Sequence, residues 1–347
     1  MNNCSDLTPI LLQYDRQQVL VVMDEQVSSI ATSEVSEASE LRKLRELLCG
    51  FPMLCIEAKE ENKSLGTVER IWDFLFEHHA TRKALILNIG GGIVCDLGGF
   101  AASTYMRGID YINIPTTLLS MADAAWGGKT GVNYRGLKNA IGVIRPPKAT
   151  LIYPQWLDTL PEKEKLSGYA EIIKCGLMKD EATFYRLLAA LEDGKYEEGI
   201  SVAVEFKEAI VQKDPEEQAL RKVLNLGHSV GHAIEELPWR QNRTLFIPHG
   251  YAVMYGLVAM AYLSHTLLGL DRKVVKVLSH IMVEYYGRMP FQCKDYNELI
   301  KLMYGDKKNT REGEIKMVLL RQIGEPVIEQ VVQEADVREA LDYLFSL

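Results

Sequence analysis

Two histidines, His228 and His232, stand four residues apart in the run HSVGH, a spacing that sets both imidazoles on one face of a helix. Such a pair can hold a metal ion, although the glutamate of the HExxH metalloprotease pattern is absent. A third imidazole, His249, follows in Pro248-His249-Gly250, so three of the seven histidines share one short stretch. Upstream, Glu171 and Lys174 lie on nearly one face of the otherwise apolar segment YAEIIKCGL. A single histidine on an apolar helix is more often a satisfied core group. Clustering of three beside apolar helix favours ligation. One carboxylate with two imidazoles leaves a coordination position open, as a catalytic Zn2+ requires; spacing alone does not choose the two imidazoles.

Anion chemistry shows elsewhere. The apolar run Ala84–Ile89 enters Gly90-Gly91-Gly92 and then a helical pattern beginning near Ile93 and including Asp96. A glycine turn between strand and helix lets backbone N–H groups reach a phosphate, with help from the helix dipole. It departs from GxGxxG, so a tight turn without a ligand is the competing reading. Gly127-Gly128-Lys129-Thr130 resembles the end of a P-loop, but Asp123 stands where the first glycine belongs, which argues against a triphosphate. What remains is a flexible loop carrying Asp123, Lys129, Lys138 and Asn139, either a binding loop or a solvated one. Lys207, Glu217, Arg221 and Asn225 lead up to the histidine pair. At helical spacing Arg221, Asn225, His228 and His232 share one stripe, with a charged solvated face as the plainer alternative. Asp306-Lys307-Lys308-Asn309 reads by itself as a polar loop.

The elements that must position these groups divide the chain. Gln18–Met23, Met53–Ala58, Ala84–Ile89 and Tyr111–Pro115 are short apolar runs of buried-strand type. Between them, Glu37–Leu48 and Thr67–His78 have helical spacing, so a parallel sheet flanked by helices is expected. From Pro161 onward the pattern is helical, ending in two short strands around Gly324, Lys316–Leu320 and Val327–Val332, and a helix from Ala335. The reading is an α/β domain over residues 1–152 and a mainly helical domain over 153–347. The 347 residues carry a net charge of −8 and are 47% hydrophobic, which suits a globular protein with an ample core and disfavours non-specific binding to nucleic acid or anionic membrane. An acidic chain that binds an anion must gather its lysines and arginines in one pocket. The six scattered cysteines form no CxxC pair, and Met1–Asp6 lacks a basic start with an apolar run; a reducing, cytoplasmic setting is expected. Tyr251–Leu270 carries no charged side chain and is long enough to span a bilayer, but its glycine, serine, histidine and tyrosines point to a buried core helix.

Taken together, the stretches GGGIVCDLGGFAASTYMRG, PTTLLSMADAAWGGKTGVN, GLKNAIG, GYAEIIKCGL, RKVLNLGHSVGHAIE, PHGYAV and DKKN resemble 3-dehydroquinate synthases, sugar-phosphate cyclases, over nearly the whole chain. The resemblance implies a Rossmann-like NAD-binding domain followed by a helical metal-binding domain, in a cytosolic homodimer. It implies Glu171, His228 and His249 as ligands of Zn2+ or Co2+, with His232 beside them. Arg107, Asp123, Lys129, Asn139, Lys174, Lys207, Arg221, Asn225 and Lys307 become the substrate-contacting set. Asp24, Glu60, Lys63, Gly91, Gly92, Asp96, Thr116, Thr117, Lys138 and Thr159 become the NAD set. The implied reaction turns 3-deoxy-D-arabino-heptulosonate 7-phosphate into 3-dehydroquinate and phosphate by transient oxidation, β-elimination, reduction and aldol closure, a step of aromatic amino-acid biosynthesis. Tyr251 stands where the family often has glutamate, and Trp126 where a small aliphatic residue is common. A sister cyclase, a metal- and NAD-dependent polyol dehydrogenase and a non-catalytic sugar-phosphate sensor are the alternatives.

Overall fold

The apolar runs of the first half pair side by side. In the computed structural model, which describes residues 4–32, 39–241, 243–304 and 315–347, the chain falls into two units, Met1–Lys165 and Leu166–Leu347. The first unit runs α1 (Cys4–Leu11), β1 (Val19–Asp24), α2 (Glu25–Thr32), α3 (Ser39–Leu48), β2 (Met53–Ile56) and α4 (Leu65–Glu77). It continues with β3 (Leu85–Gly90), α5 (Gly92–Thr104), β4 (Asp110–Pro115), β5 (Lys129–Tyr134), β6 (Leu137–Ile144) and β7 (Ala149–Thr150). Five strands form a parallel sheet in the order β2-β1-β3-β4-β7. The central strands are buried on both faces, which is why they read as unbroken apolar runs rather than alternating ones. Val68, Ile71 and Leu75 of α4, together with Leu97 and Ala101 of α5, close one core against Leu20, Val22 and Ile86 of the sheet. The chain leaves β1 in one direction along the sheet and returns in the other, so the carboxyl ends of β1 and β3 flank a topological switch point.

One expectation fails here. The stretch after Gly127, expected as a flexible loop, is instead the antiparallel hairpin β5–β6. Its two-residue turn, Arg135-Gly136, has φ of +47° and +79°, the left-handed pair a tight hairpin needs. The polar, glycine-rich composition concealed a ladder whose hydrogen bonds come from the backbone, whatever the side chains.

Helix α6 (Glu162–Lys179) carries the chain into the second unit. There follow α7 (Glu181–Glu192), α8 (Glu197–Lys213), α9 (His228–Arg240), α10 (His249–Leu268), α11 (Arg272–Ile281), α12 (Tyr296–Tyr304), the hairpin β8 (Ile315–Gln322) and β9 (Glu325–Val332), and α13 (Glu334–Ser346). The uncharged α10 is the core helix of this unit: α9, α11, α13 and β8 all pack on it. Helices packed on several sides need no polar stripe, which accounts for its near-uniform hydrophobicity.

The expected stripe from Arg221 to His232 is also corrected. Leu220–Asn225 forms a separate 3-10 segment, and Gly227 adopts φ +76° before α9 begins at His228. A side chain at Gly227 would have its Cβ 2.9 Å from Leu257, so both the backbone angle and the close approach require glycine. The turn redirects the chain, and the two halves of the stripe do not share one helix.

Candidate metal centre and phosphate-binding turn

In the second unit the site is built by close helix contact. Gly250, in the first turn of α10, donates its N–H to Ser167 Oγ on α6 at 3.1 Å, and a Cβ there would lie 1.8 Å from the Ser167 carbonyl oxygen. Only glycine permits that approach. Glu171 lies one helical turn beyond Ser167, so the contact sets His249 against it, with Nε2 3.3 Å from Glu171 Oε1. The first residue of α9 supplies the other imidazole, His228 Nε2, 3.4 Å from the same oxygen. One donor atom from each of the three residues lies within 4.8 Å of the others. His232, one turn along α9, packs its ring 5.2 Å from that of His228 and 6.1 Å from that of His249, beside this group.

Electrostatics and tautomer suit a cation. Glu171 is fully buried; burial opposes its charge, but the ammonium of Lys174 and then His249 overcome that and hold the carboxyl at about 2. Lys174 pairs with Oε2, whereas Oε1 has no hydrogen-bond donor among the described residues. His228 donates Nδ1–H to the Leu226 carbonyl at 3.1 Å, which leaves Nε2 as a lone pair. Burial, followed by the charge of Lys174, depresses the pKa of His228 and keeps that ring neutral. On the far side of His249, Nδ1 meets Glu235 Oε2 at 3.1 Å. Burial disfavours a charged His249, yet Glu235 and Glu171 raise it to about 10, so a proton resides there. An orphaned carboxylate oxygen facing two Nε2 atoms is a donor set that fits a divalent ion with an open position.

The cationic candidates of this unit are fixed from below. Asp214 follows α8 and accepts backbone N–H bonds from Gln218, Ala219 and Arg221 at 2.8 to 2.9 Å. Those bonds, that of Arg221 first, lower its pKa although burial works against them. Buried Arg221 donates from Nη1 to the Pro215 carbonyl at 2.6 Å, and Asn225 donates to Glu217 Oε1 at 3.0 Å. Lys207 is buried on α8, which packs on this 3-10 segment. Tyr251 sets its ring 5.0 Å from that of Tyr286, edge to face. Lys307 lies outside the described residues.

The first unit assembles a different kind of site at the carboxyl ends of its strands. Gly91 caps α5 without any side-chain hydrogen bond, so the N-terminal amides of that helix face the switch-point end of the sheet. The N–H of Thr116 donates to the Gly90 carbonyl at 3.0 Å and ties β4 to β3 there, while Thr117 Oγ1 lies 2.9 Å from Ser120 Oγ. Buried Lys63 donates to Asp96 and to Asn139, each at 2.5 Å. Glu60 accepts from Asn133 at 2.7 Å and lies 3.8 Å from Lys138. Thus Asn139, expected with the substrate set, keeps company with the residues expected around NAD. Asp24, at the end of β1, accepts from the Gln26 N–H at 3.0 Å. Burial raises its pKa against that bond. Asp123 sits on the π-helical turn Ser120–Ala124, whose end is pinned by Asn113 Nδ2 donating to the Ala125 carbonyl at 3.2 Å. Trp126 Nε1 donates back to the Met121 carbonyl at 2.7 Å, and exposed Lys129 opens β5. Thr159 closes the 3-10 segment Pro154–Thr159 and donates to the Trp156 carbonyl at 3.3 Å.

Arg107 is not brought to this group. It follows α5 and precedes β4, so it lies at the amino end of the sheet, about 20 Å of strand away from the glycine turn. It is exposed, with φ +68°. Glu235, Asp214, Asn133 and Asn113 were missed from sequence. For Glu235 a signal existed: it continues the face of His228 and His232 at the next helical step.

Comparison with known proteins agrees with this arrangement. The family model for the 3-dehydroquinate synthase N-terminal region matches residues 53–167, and that for the C-terminal region matches residues 168–309. A 3-dehydroquinate synthase of Parabacteroides distasonis is 39% identical, covering 98% of this chain and 96% of its own. One of Pyrococcus abyssi is 40% identical, covering 88% and 90%. Among solved structures, the 2-epi-5-epi-valiolone synthase of Streptomyces hygroscopicus, with NAD+ and Zn2+ bound, superposes at a TM-score of 0.82 with 29% identity, covering 95% of this chain and 91% of that one. With both family models matched in order over residues 53–309, relatives of 39% and 40% identity over most of their length, and a Glu-His-His cluster present, the chain belongs to the 3-dehydroquinate synthase family.

Proposed function

We propose that this chain is an NAD- and metal-dependent carbon–oxygen lyase that converts 3-deoxy-D-arabino-heptulosonate 7-phosphate into 3-dehydroquinate and phosphate. The observation that carries the reading is the cluster of Glu171, His228 and His249, with an orphaned carboxylate oxygen between two imidazole Nε2 atoms. When bound, NAD supplies reversible hydride transfer and a divalent ion lowers the pKa of the hydroxyl to be oxidised. The ion would be held by Glu171, His228 and His249; Zn2+ is the ion bound by the 29%-identical relative, and Co2+ is the alternative that the family resemblance implies. The dinucleotide phosphates would lie on the Gly91–Gly92 turn, with Asp24, Glu60, Lys63, Asp96, Thr116, Thr117, Lys138 and Thr159 around the cofactor.

The substrate carries two anionic groups, a phosphate and a carboxylate, in a protein of net charge −8. Lys129, Lys174, Lys207, Arg221 and Lys307 would gather the compensating charge, and Asp123, Asn139, Asn225 and His232 would bind and orient hydroxyls. Buried cations act on a bound anion with little screening, so Lys207 and Arg221 can favour departure of phosphate without taking a proton themselves. Arg107, remote within one chain, is assigned to the substrate set by resemblance alone. In this reading residues 1–152 hold the dinucleotide, residues 153–347 hold metal and substrate, and the protein works as a cytoplasmic homodimer.

The test is incubation of purified protein with the heptulosonate phosphate, catalytic NAD+ and Zn2+. Phosphate and dehydroquinate should appear in equal amounts with no net NADH. Steady growth of NADH with a simple polyol would favour a dehydrogenase. Cyclisation of a different sugar phosphate would favour a sister cyclase, and tight binding without phosphate release a sensor.

A further inference from the structure

The metal-ligand geometry leaves one buried carboxylate without a role. Glu235 lies on α9, seven residues after His228 and three after His232, so all three project from one face. Its side chain is nine-tenths buried, and Oε2 lies 3.1 Å from His249 Nδ1, the ring nitrogen turned away from Glu171. The opposite nitrogen, Nε2, lies 3.3 Å from Glu171 Oε1. His249 therefore sits between two carboxylates on two different helices, and each addresses one nitrogen. A ring gripped at Nδ1 by an acceptor can offer only Nε2 as a lone pair. The contrast with His228 is informative: there the Nδ1 acceptor is a neutral backbone carbonyl at 3.1 Å.

Resting on the metal-site reading above, we propose that Glu235 is a positioning residue for His249. It holds the ring with Nε2 turned to the metal position and, as an anion rather than a carbonyl, strengthens that nitrogen as a donor. Such partners of ligating histidines typically change metal affinity about 10- to 100-fold. Glu235 also makes His249 the stronger of the two imidazole ligands, so the two histidines are not equivalent.

The experiment measures Zn2+ affinity of the full-length protein over a range of pH by competition with a chromophoric chelator, compares the variants at the high-pH plateau where no proton competes for His249, and records the visible spectrum of the Co2+-loaded form. Variants are Glu235→Gln, Glu235→Ala, Glu235→Asp and, as the reference for the metal site, Glu171→Ala. Glu235→Gln keeps an oxygen acceptor but no charge, and should weaken Zn2+ binding about tenfold and shift the Co2+ absorption bands. Glu235→Ala should weaken it about a hundredfold. Glu235→Asp, which restores the charge, should recover part of the affinity. The thermal midpoint of metal-free Glu235→Gln should match that of the parent, so that lost affinity is not lost folding. If Glu171→Ala abolishes Zn2+ binding while Glu235→Gln and Glu235→Ala bind as the parent does, the positioning role is overturned and the metal site stands. If Glu171→Ala also binds as the parent does, the metal-site reading falls and the role of Glu235 falls with it. If Glu235→Ala does not fold, the glutamine variant decides alone.

Discussion

The two units solve the same problem, the stabilisation of charge, with opposite materials. In the second unit charge is met by charge: Glu171, Lys174, His249 and Glu235 are drawn together where water is largely excluded. In the first unit the glycine turn offers backbone amides at the start of α5, and the charged groups around it are half-buried or exposed apart from Lys63. Buried side-chain charges are exacting, because removal of one partner leaves the other uncompensated in a poor solvent. Backbone amides at a helix terminus are tolerant, because no one side chain supplies them. Substitutions in the two regions should therefore differ in size and kind.

The largest effect is expected at the cluster. Glu171→Ala should abolish tight Zn2+ binding and lower kcat at least about a thousandfold while leaving the Kd for NAD+ unchanged; equilibrium dialysis and fluorescence titration measure the two affinities. A parallel loss of NAD+ binding would break the contrast. Next comes Gly250→Ala, where the Cβ meets the Ser167 carbonyl. Overpacking of this kind costs about 1–3 kcal/mol, so chemical denaturation should show a lower midpoint for the second unit and weakened Zn2+ binding. Lys63→Ala, in the first unit, should raise the Kd for NAD+ only about tenfold and leave Zn2+ affinity alone; it removes the bonds to Asp96 and Asn139, but those partners are half-buried and exposed, so water can compensate them. The smallest effect is a proton count. His249, raised to about 10 chiefly by Glu235 and Glu171 against burial, carries a proton at pH 8, whereas Glu171, held at about 2, carries none. Ligation needs the neutral ring, so Zn2+ binding at pH 8 should release close to one proton from the cluster, and affinity should rise with pH until about 10. Calorimetry in buffers of different ionisation enthalpy counts the proton. A count of zero would place His249 neutral before the ion arrives.

Legibility followed the origin of each interaction. The strands β1, β3 and β4 were visible to within a residue because burial on both faces forces continuous apolar runs. The core character of α10 was visible for the same reason. The hairpin β5–β6 was not, since its pairing uses backbone groups and its Arg135-Gly136 turn lacks the commonest asparagine–glycine signature. The stripe from Arg221 to His232 failed because one left-handed glycine, Gly227, outweighs four residues of favourable spacing. Arg107 shows a further limit: a motif places it near a glycine turn in sequence, and a helix then carries it to the other end of the sheet.

Residue type and order fixed much in advance: which runs must be buried, where glycine interrupts them, and that one acid and a few imidazoles lie among apolar neighbours. These follow from local hydrophobicity and backbone preference, properties a residue carries with it. The tertiary structure decided which imidazoles meet the acid, which nitrogen of each ring faces it, and that Glu235 stands behind His249. Those outcomes depend on contacts between residues far apart in the chain, above all the seating of Gly250 on Ser167 across 83 positions of sequence. Spacing along a helix can nominate such partners, but only packing between helices can choose among them.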